Sequence, residues 1–336
     1  MVRSYDENTL SVTLFRWRRS FRPRKTLNHG NGFPDETLVR ILISGASGLI
    51  GRALTERLRS AGDSVQTLVR RNPEEAEGEI GWDPDAGVLD ASRLDGLDAV
   101  VHLAGRPISS RWTEETKAEI RDSRVRGTKL LAEVVSQLPR EPKVFISASA
   151  IGFYGLRGDE PLDETSTPGS GFLADVCQEW EAAAAPARDA GIRTVCLRTG
   201  LVLSRAGGML AQVLLPFKMG AGGVVGTGRQ WLSWISLADA AAGIQHAIAT
   251  AELSGPVNLT APGPVPNAEF VRTLGKLLSR PTLIPLPAFA VKVLFGEMGD
   301  ELLLSGQRVL PKKLLASGFH FAHSDLESAL RWALAN

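Results

Sequence analysis

Three glycines in the chain, Gly45, Gly48 and Gly51, have the spacing of a turn that binds a diphosphate. They lie between a short apolar run and a longer amphipathic stretch, which predicts a strand, a turn and a helix. In that context the glycines permit a tight turn, close approach of the diphosphate and close helix packing, while free N–H groups of the helix face the phosphates. A simple tight turn is the alternative. The predicted dinucleotide-binding residues are Gly45, Ser47, Gly48, Leu49, Ile50 and Gly51.

Two arginines, Arg70 and Arg71, stand about twenty residues further on, where a carboxylate would bind the ribose 2′-hydroxyl of NAD. A carboxylate repels a 2′-phosphate, whereas a guanidinium binds it through two hydrogen bonds. The pair therefore favours NADP(H), although a solvated loop has the same composition. Asp83 follows a third predicted strand, where it could contact the adenine amino group or form a turn before Pro84.

The common proton-transfer pair for hydride chemistry is absent. The chain has two tyrosines, Tyr5 and Tyr154, and neither is followed four residues later by a lysine that would lower the pKa of its phenol. Tyr154 follows a predicted strand and could donate a proton if Arg124 or Arg198 lowered its pKa; packing against a substrate or lid is the alternative. An unassisted cysteine such as Cys177 is typical of an inert core position.

Further motifs follow the fourth and fifth predicted strands. With the glycine turn, they resemble the extended branch of the short-chain dehydrogenase/reductase superfamily, and more narrowly its epimerase-family proteins related to sugar-nucleotide epimerases. The resemblance runs from about Val39 to the C-terminus and includes a C-terminal segment of unassigned function at about Pro281–Leu326. The motifs that carry it are His102-Leu103-Ala104-Gly105, Ser147-Ala148-Ser149-Ala150, Gly81-Trp82-Asp83-Pro84, Arg111-Trp112-Thr113, Ser123-Arg124-Val125, Gly152-Phe153-Tyr154-Gly155, Trp180-Glu181 and Gly228-Arg229-Gln230-Trp231-Leu232-Ser233-Trp234-Ile235.

The resemblance implies a nucleotide-binding sheet, and it places Leu103, Ala104, Gly105 and Arg124 at the cofactor. Ser149 matches the serine that hydrogen-bonds the reacting oxygen. Where the superfamily has tyrosine and lysine four residues apart, this chain has Leu173 and Cys177 or, with a shift of one residue, Phe172 and Val176. Arg124 stands where an asparagine usually supports a proton relay. The resemblance thus implies the fold and the cofactor but does not extend to the reaction.

Candidate substrate residues combine arginine with tryptophan, which suits a planar or anionic small molecule through paired hydrogen bonds and stacking. Core packing of the tryptophans is the alternative. The predicted contacts are Trp112, Arg229 and Trp231.

Composition narrows the class of partner. With 336 residues, 43 % hydrophobic, and a net charge of +1, the chain is typical of a globular protein with a small-molecule partner, because a nucleic-acid surface would be basic. Two cysteines and scattered histidines predict neither a disulfide framework nor a metal site. We found no apolar stretch long enough to span a bilayer and no signal peptide, so cytoplasmic localisation is expected. The oligomeric state stays open.

Short β-branched runs alternate with helical stretches, which predicts an α/β fold: a doubly wound, Rossmann-like parallel sheet with a smaller C-terminal substrate lobe. Residues 1–37 form a basic extension expected to be disordered, unless translation begins near Val39. The cofactor domain covers 38–200, with later segments returning to it, and 201–336 form mainly the substrate lobe. The predicted strands are Arg40–Ser44, Ser64–Val69, Glu79–Trp82, Ala99–Leu103, Lys143–Ser147 and Thr194–Arg198, and the predicted helices are Leu49–Ser60, Thr113–Gln137, Phe172–Asp189 and Ser236–Thr250.

These observations favour an NADP(H)-binding, epimerase- or reductase-like protein that acts on a small molecule without the Tyr/Lys pair. The alternative is an NADPH-binding regulator that has lost turnover. Retention of Ser149 favours the enzyme, and the missing pair favours the regulator.

Overall fold

The computed structural model describes residues 38–336, so the expectations for residues 1–37 lie outside the described part. Strands and helices alternate through the first half of this part, as the pattern predicted. The strands are β1 (Arg40–Ser44), β2 (Ser64–Val69), β3 (Glu79–Asp83), β4 (Val88–Leu89), β5 (Ala99–His102), β6 (Val144–Ala150), β7 (Pro161–Leu162), β8 (Arg193–Thr199), β9 (Leu201–Leu203), β10 (Trp231–Leu232), β11 (Trp234–Ser236), β12 (Gly255–Leu259), β13 (Val265–Pro266) and β14 (Arg308–Val309). The helices are α1 (Leu49–Ser60), α2 (Glu114–Val135), α3 (Phe172–Ala182), α4 (Ala185–Asp189), α5 (Gly208–Lys218), α6 (Leu237–Ala249), α7 (Asn267–Leu278), α8 (Ala288–Phe295), α9 (Glu297–Leu302), α10 (Lys312–Ala316) and α11 (Leu326–Ala335).

The central sheet has eight strands in the order β12-β8-β6-β5-β1-β2-β3-β4. All neighbours pair in parallel except β3 and β4, which are antiparallel. The chain moves to one side of β1 through β2 and to the other side through β5, so the direction of winding reverses between β1 and β5. Ligands of such sheets bind outside the carboxyl ends of the strands at this reversal. The Rossmann-like doubly wound sheet is therefore confirmed.

Helices cover both faces of this sheet. Ile41 and Ile43 of β1 point into a core shared with α1 and α6, whereas Leu42 between them points into a core shared with α2 and α4. Such period-two alternation into two apolar cores explains why the strands read as nearly continuous hydrophobic runs. Each core side chain, fully removed from water, contributes about 1.5–3 kcal/mol of hydrophobic stabilisation.

One predicted helix is wrong in its extent. The stretch Phe172–Asp189 forms two helices, α3 and α4, separated at Ala183 and Ala184. Pro186 lies in the first turn of α4, where its missing N–H is tolerated and its fixed φ suits the start of a helix. The same residue inside one continuous helix would remove an intrahelical hydrogen bond, so the chain restarts the helix instead.

The later part of the chain builds a third core from α5, α7 and α11, around Phe217, Trp234, Phe270 and Leu330. β12 returns from this region to the edge of the central sheet beside β8. Short two-stranded pairs, β10 with β13, β11 with β9 and β14 with β7, join the later segments to the loops at the carboxyl edge. Within residues 38–336 we found no helix with the length and apolar character needed to cross a bilayer.

Candidate functional site

A cleft of 1390 Å³ opens where β1, β2 and β5 end. It begins at the glycine turn between β1 and α1, follows the outer face of α1, and reaches the loop after β5 and the middle of α2. Its lining therefore comes from both sides of the point where the sheet reverses its winding. The lining residues include Gly45, Ala46, Ser47, Gly48, Arg52, Arg59, Arg70, Arg71, Leu103, Ala104, Gly105, Arg106, Ser123 and Arg126.

The glycine turn leaves no room for side chains. Gly45 has a φ of 71°, and a Cβ there would lie 2.8 Å from the backbone N of Ala104. A Cβ on Gly51 would lie 2.2 Å from the carbonyl oxygen of Gly45. Gly48 caps the N-terminus of α1, whose first turn carries no acidic residue. The positive end of the helix thus opens without a competing carboxylate, as an anion site requires.

The side chains of the other residues of the turn point in different directions. Ser47 lines the cleft. The side chain of Leu49 points away towards Gly207, and that of Ile50 packs against the core shared with α6. At this position Leu49 and Ile50 can therefore serve an anion only through their backbone N–H groups, while Ser47 also offers a hydroxyl.

The loop after β5 is held against the turn by a buried hydroxyl. Ser44 Oγ accepts hydrogen bonds from the backbone N–H groups of Leu103, at 3.2 Å, and Ala104, at 3.4 Å. The Ser44 hydroxyl lies 2.6 Å from His102 Nδ1, and since its lone pairs accept from the two N–H groups, the contact favours the Nε2–H tautomer, whose Nε2 is buried without a partner in the described residues. Burial lowers the pKa of His102 to about 4. A neutral imidazole thus fixes the backbone that forms one wall of the cleft, beside Gly105.

The two arginines at the end of β2 differ in their partners. Arg71 pairs with Glu79 at 2.6 Å and with Glu74 at 3.3 Å. Arg70 is exposed, lines the cleft, and has no carboxylate partner among residues 38–336. Asp83 accepts hydrogen bonds from the backbone N–H groups of Asp85 and Ala86, both at 3.0 Å, so the structure favours the turn over the adenine contact.

Several lining residues escaped the sequence prediction. Arg52 and Arg59 lie on the outer face of α1 and carry no carboxylate partner in the described part, whereas Arg106 pairs with Glu119 and Arg126 with Asp122. The spacing of positions 52, 55, 56 and 59 places one helix face along the cleft. This helical spacing directly after the glycine turn was the sequence signal that could have identified Arg52 and Arg59 as cleft residues.

Arg124 lies behind the cleft wall. Its guanidinium donates a hydrogen bond to the backbone oxygen of Ile120 at 2.9 Å and stacks on Trp180 at 5.0 Å. Its side chain packs against Gly105, where a Cβ would stand 3.5 Å from it. Burial lowers the pKa of this guanidinium. Arg124 therefore supports the wall formed by Gly105, and its Nη1 donates into the protein.

A buried polar network occupies the ends of β6 and β8. Ser149 donates a hydrogen bond to Glu181 Oε1 at 2.8 Å, and Glu181 forms paired hydrogen bonds with Arg198 at 2.8 and 2.9 Å. Arg198 also donates to the Tyr154 hydroxyl at 3.0 Å, which in turn donates to Asn258 Oδ1 at 2.7 Å. The side chains of Ser149, Tyr154 and Arg198 are buried. The network joins two central strands to α3 and β12.

The hydrogen bonds of this network favour the packing alternative for Tyr154, and its role as a proton donor stays a prediction. Its ring has no exposed surface, and its proton is committed to Asn258. Burial raises the pKa of Tyr154, and the hydrogen bond from Arg198 opposes that rise without cancelling it. The Ser149 hydroxyl donates to Glu181, so only its lone pairs are available to a substrate oxygen that carries a proton.

The positions of the missing Tyr/Lys pair are apolar. Leu173 packs with Trp112, Phe172 and Met298 in one cluster. Cys177 lies in another, and burial raises the pKa of its thiol to about 11. The thiol is therefore neutral near pH 7, as expected of an inert core cysteine.

The predicted substrate residues lie in different surroundings. Trp112 is buried in the cluster with Met298, and its indole N–H donates to the backbone oxygen of Ile108 at 3.0 Å, so the core alternative holds for it. Arg229 is exposed on a loop away from the cleft. Trp231 is half-buried and donates its indole N–H to Asp159 at 2.7 Å. The structure does not bring these three side chains together with the cleft of the glycine turn.

The first strand of the parallel sheet continues through the glycine turn into α1, at the point where the strand order reverses. This arrangement defines a Rossmann-type dinucleotide-binding protein. The profile of the NAD dependent epimerase/dehydratase family matches residues 41–259, and the chain belongs to this family. A second profile, described as a domain of unknown function (DUF1731), matches residues 286–333.

Named relatives extend over most of the chain. It is 46 % identical to epimerase family protein Mb2239 of Mycobacterium bovis over 294 residues, which is 87 % of this chain and 97 % of the relative. It is 39 % identical to epimerase family protein YfhF of Bacillus subtilis, over 89 % of this chain and 99 % of that one. The crystal structure of human epimerase family protein SDR39U1 with NADPH matches with a TM-score of 0.81 at 35 % identity, covering 89 % of this chain and all of that chain.

Proposed function

We propose that this chain binds NADP(H) and acts as an epimerase- or reductase-like oxidoreductase on a small molecule. The proposal rests on the cleft at the glycine turn. The N-terminus of α1, whose first turn has no acidic residue, faces this cleft after a turn without space for a Cβ at Gly45 or Gly51. Arg70, which has no carboxylate partner in the described part, lines the same cleft. The crystal structure of the human relative with NADPH supports the same cofactor.

The residues present fit the cofactor. Gly45 and Gly51 sit where any Cβ would overlap backbone atoms, which is the close approach that a diphosphate site needs. Ser47 and the N–H groups of the first turn of α1 would hold the diphosphate. Arg70 would bind the 2′-phosphate, and Arg71 would join it by exchanging its pairing with Glu79.

The nicotinamide of such a cofactor supplies or accepts a hydride, and the protein orients the substrate and handles one proton. Leu103, Ala104 and Gly105 form the wall beside the glycine turn, fixed by Ser44. Ser149 offers its oxygen lone pairs, because Glu181 takes its proton. Ser149 would thereby position a substrate hydroxyl as a hydrogen-bond acceptor.

Titration of protein fluorescence with NADPH and NADH tests the cofactor. We expect tighter binding of NADPH, and a loss of roughly tenfold or more in NADPH affinity for Arg70→Ala, because a charge-assisted hydrogen bond contributes about 1.5–3 kcal/mol. NADH affinity should stay unchanged. Arg71→Ala should lower NADPH affinity less, since Glu79 competes for its guanidinium. Arg121→Ala, an exposed arginine of α2 outside the cleft, is the matched control. Equal affinities for the two dinucleotides, unchanged in both variants, would contradict the proposal.

Gly51→Ala tests the turn itself. Its Cβ would meet the carbonyl oxygen of Gly45 at 2.2 Å, so α1 must shift by about the missing contact distance. The N–H groups of the first turn would then no longer meet the diphosphate, and since a hydrogen bond to a charged group contributes about 1.5–3 kcal/mol, we expect a loss of NADPH affinity of roughly tenfold or more. Gly81→Ala on β3 is the control, because its Cβ meets Pro73 at an ordinary 3.5 Å. Equal NADPH affinity for both variants would show that the turn does not hold the diphosphate.

A catalytically inactive NADPH-binding regulator is the second candidate. The observation that favours it is the apolar burial of Leu173 and Cys177 at the positions of the usual proton-transfer pair. The absorbance of bound NADPH at saturation, followed during incubation with fractionated small-molecule extracts, is the first readout. A reductase lowers this absorbance in at least one fraction. An epimerase returns the hydride and leaves the final absorbance constant, so it is detected by the conversion of a small molecule in the NMR spectrum of the fraction. A regulator changes neither readout, and Gly51→Ala should change neither. For either candidate we propose the cytoplasm, where the two buried free thiols would stay reduced.

A further inference from the structure

Arg308 carries a guanidinium that residues 38–336 leave unpaired. Its Nε is buried and has no hydrogen-bond partner, and no carboxylate of the described part lies within ion-pair distance. Neighbouring arginines at the same edge of the sheet differ, since Arg157 pairs with Glu160 and Arg198 with Glu181. A buried donor without an acceptor is uncommon in folded proteins and calls for an explanation, of which a bound ligand group is one.

The backbone on both sides of Arg308 is fixed to the carboxyl edge of the sheet. Gln307 donates a side-chain hydrogen bond to the backbone oxygen of Gly155, which follows β6, at 3.0 Å. The N–H of Val309 donates to Ser233 Oγ at 2.9 Å, and Ser233 donates back to the oxygen of Gln307 at 2.6 Å. Arg308 is therefore held by two different segments at the edge where α/β sheets bind ligands.

Trp231 fixes the plane of this guanidinium. The Arg308 Cζ lies 4.7 Å above the centroid of the Trp231 ring. The ring is itself fixed, because its N–H donates to Asp159 Oδ1 at 2.7 Å. Stacking of this kind uses the face of a guanidinium and leaves its in-plane N–H donors unpaired. The Arg308 side chain as a whole is partly exposed, whereas its Nε is reached by an acceptor only when neighbouring groups shift. A fork of two parallel donors matches the oxygens of a carboxylate or a phosphate.

We propose that Arg308, stacked on Trp231, is the subsite that binds an oxyanion group of the substrate, a carboxylate or a phosphoryl group. The subsite is separate from the dinucleotide cleft, whose lining it does not join. It deepens the proposed function, on which its description as a substrate site rests. Arg229, the neighbouring candidate from the sequence, lacks the stacked ring and the buried donor.

The test follows the Nε–H resonance of Arg308 by NMR in ¹⁵N-labelled protein saturated with NADPH, so that the diphosphate site is filled. The resonance is assigned by its absence from Arg308→Gln. Inorganic pyrophosphate and succinate are the probes for the phosphoryl and the carboxylate source. We expect a saturable shift with at least one probe, and the probe with the higher affinity identifies the class of anion.

Calorimetry with the same probe on the variants gives the second readout. Arg308→Gln should weaken binding roughly tenfold or more, while Arg308→Lys, which keeps the charge without the fork, should fall between it and the natural chain. Arg272→Gln, which changes an exposed arginine of α7, is the matched control and should bind as the natural chain does. No shift of the Nε–H resonance with either probe, or equal weakening in Arg272→Gln, would overturn the proposal. NADPH fluorescence recorded before the anion is added reports failure of the proposed function separately, and the Arg308 resonance can then be read in the cofactor-free protein.

Discussion

Glu181→Ala should lower the free energy of unfolding by about 3–5 kcal/mol, because it leaves the buried guanidinium of Arg198 without its counter-charge. The exposed fractions of the two side chains are 14 % and 4 %, so water does not replace the lost carboxylate. Two paired hydrogen bonds and the acceptor for Ser149 disappear together. Denaturant unfolding followed by far-ultraviolet circular dichroism measures the loss.

The matched control for this variant lies two residues earlier on the same helix. Glu179 pairs with Arg121 at 3.3 Å, and both side chains are about half exposed. Such a surface pair contributes at most about 1 kcal/mol, so Glu179→Ala should change stability little. Adding Arg198→Met to Glu181→Ala should recover part of the loss, because the uncompensated charge is then gone. If Glu179→Ala and Glu181→Ala cost the same, the central network does not stabilise the fold.

Protein stability should fall by about 3 kcal/mol between pH 6.5 and pH 4 through His102 alone. Burial lowers the pKa of this imidazole in the folded protein from its ordinary 6.5 to about 4. In this window the unfolded chain binds a proton that the folded chain excludes, so acid favours unfolding. The stabilisation is complete above the unfolded value and is lost as the pH falls towards the folded one.

The physical cause is burial of the imidazole, which has no exposed surface. Protonation of the ring would place a charge beside Trp82 and Gly127, away from water. Denaturation of His102→Asn across this pH range should give a shallower decline than the natural chain. His320→Asn, which changes an exposed ring, should follow the natural chain. If stability falls equally with pH in all three proteins, His102 is not the source of the pH dependence.

The hydrogen-bond partners of Tyr154 and Ser149 limit the proton donors that the protein can offer to a substrate. The phenol proton serves Asn258, and the Ser149 proton serves Glu181, so the polar groups beside the missing Tyr/Lys pair stabilise the sheet rather than present donors to a substrate. An oxyanion anchor at Arg308 would then contribute to substrate binding from the C-terminal segment, which the sequence pattern described only as an unassigned region.

Local signals determined much of the fold. The strand–turn–helix context of the glycines, β-branched runs and helical spacing depend on neighbouring residues, so they predicted β1, α1 and β2 at their observed bounds. Pro186 was also a sequence signal for the break between α3 and α4, because a proline inside a helix removes a hydrogen bond of its own turn. The domain division, by contrast, remains a prediction.

Which side chains face the cleft was decided by the tertiary structure. Burial and hydrogen-bond partners come from residues distant in the chain: Asn258 takes the proton of Tyr154, Trp112 turns into a core with Met298, and the turn after β3 takes Asp83. Sequence alone placed two adjacent arginines after β2, and only the fold gave Arg71 a carboxylate and left Arg70 without one. Residue type fixes what a group can do chemically, whereas long-range packing sets its solvation and its partners, and those determine whether the group is available to a ligand.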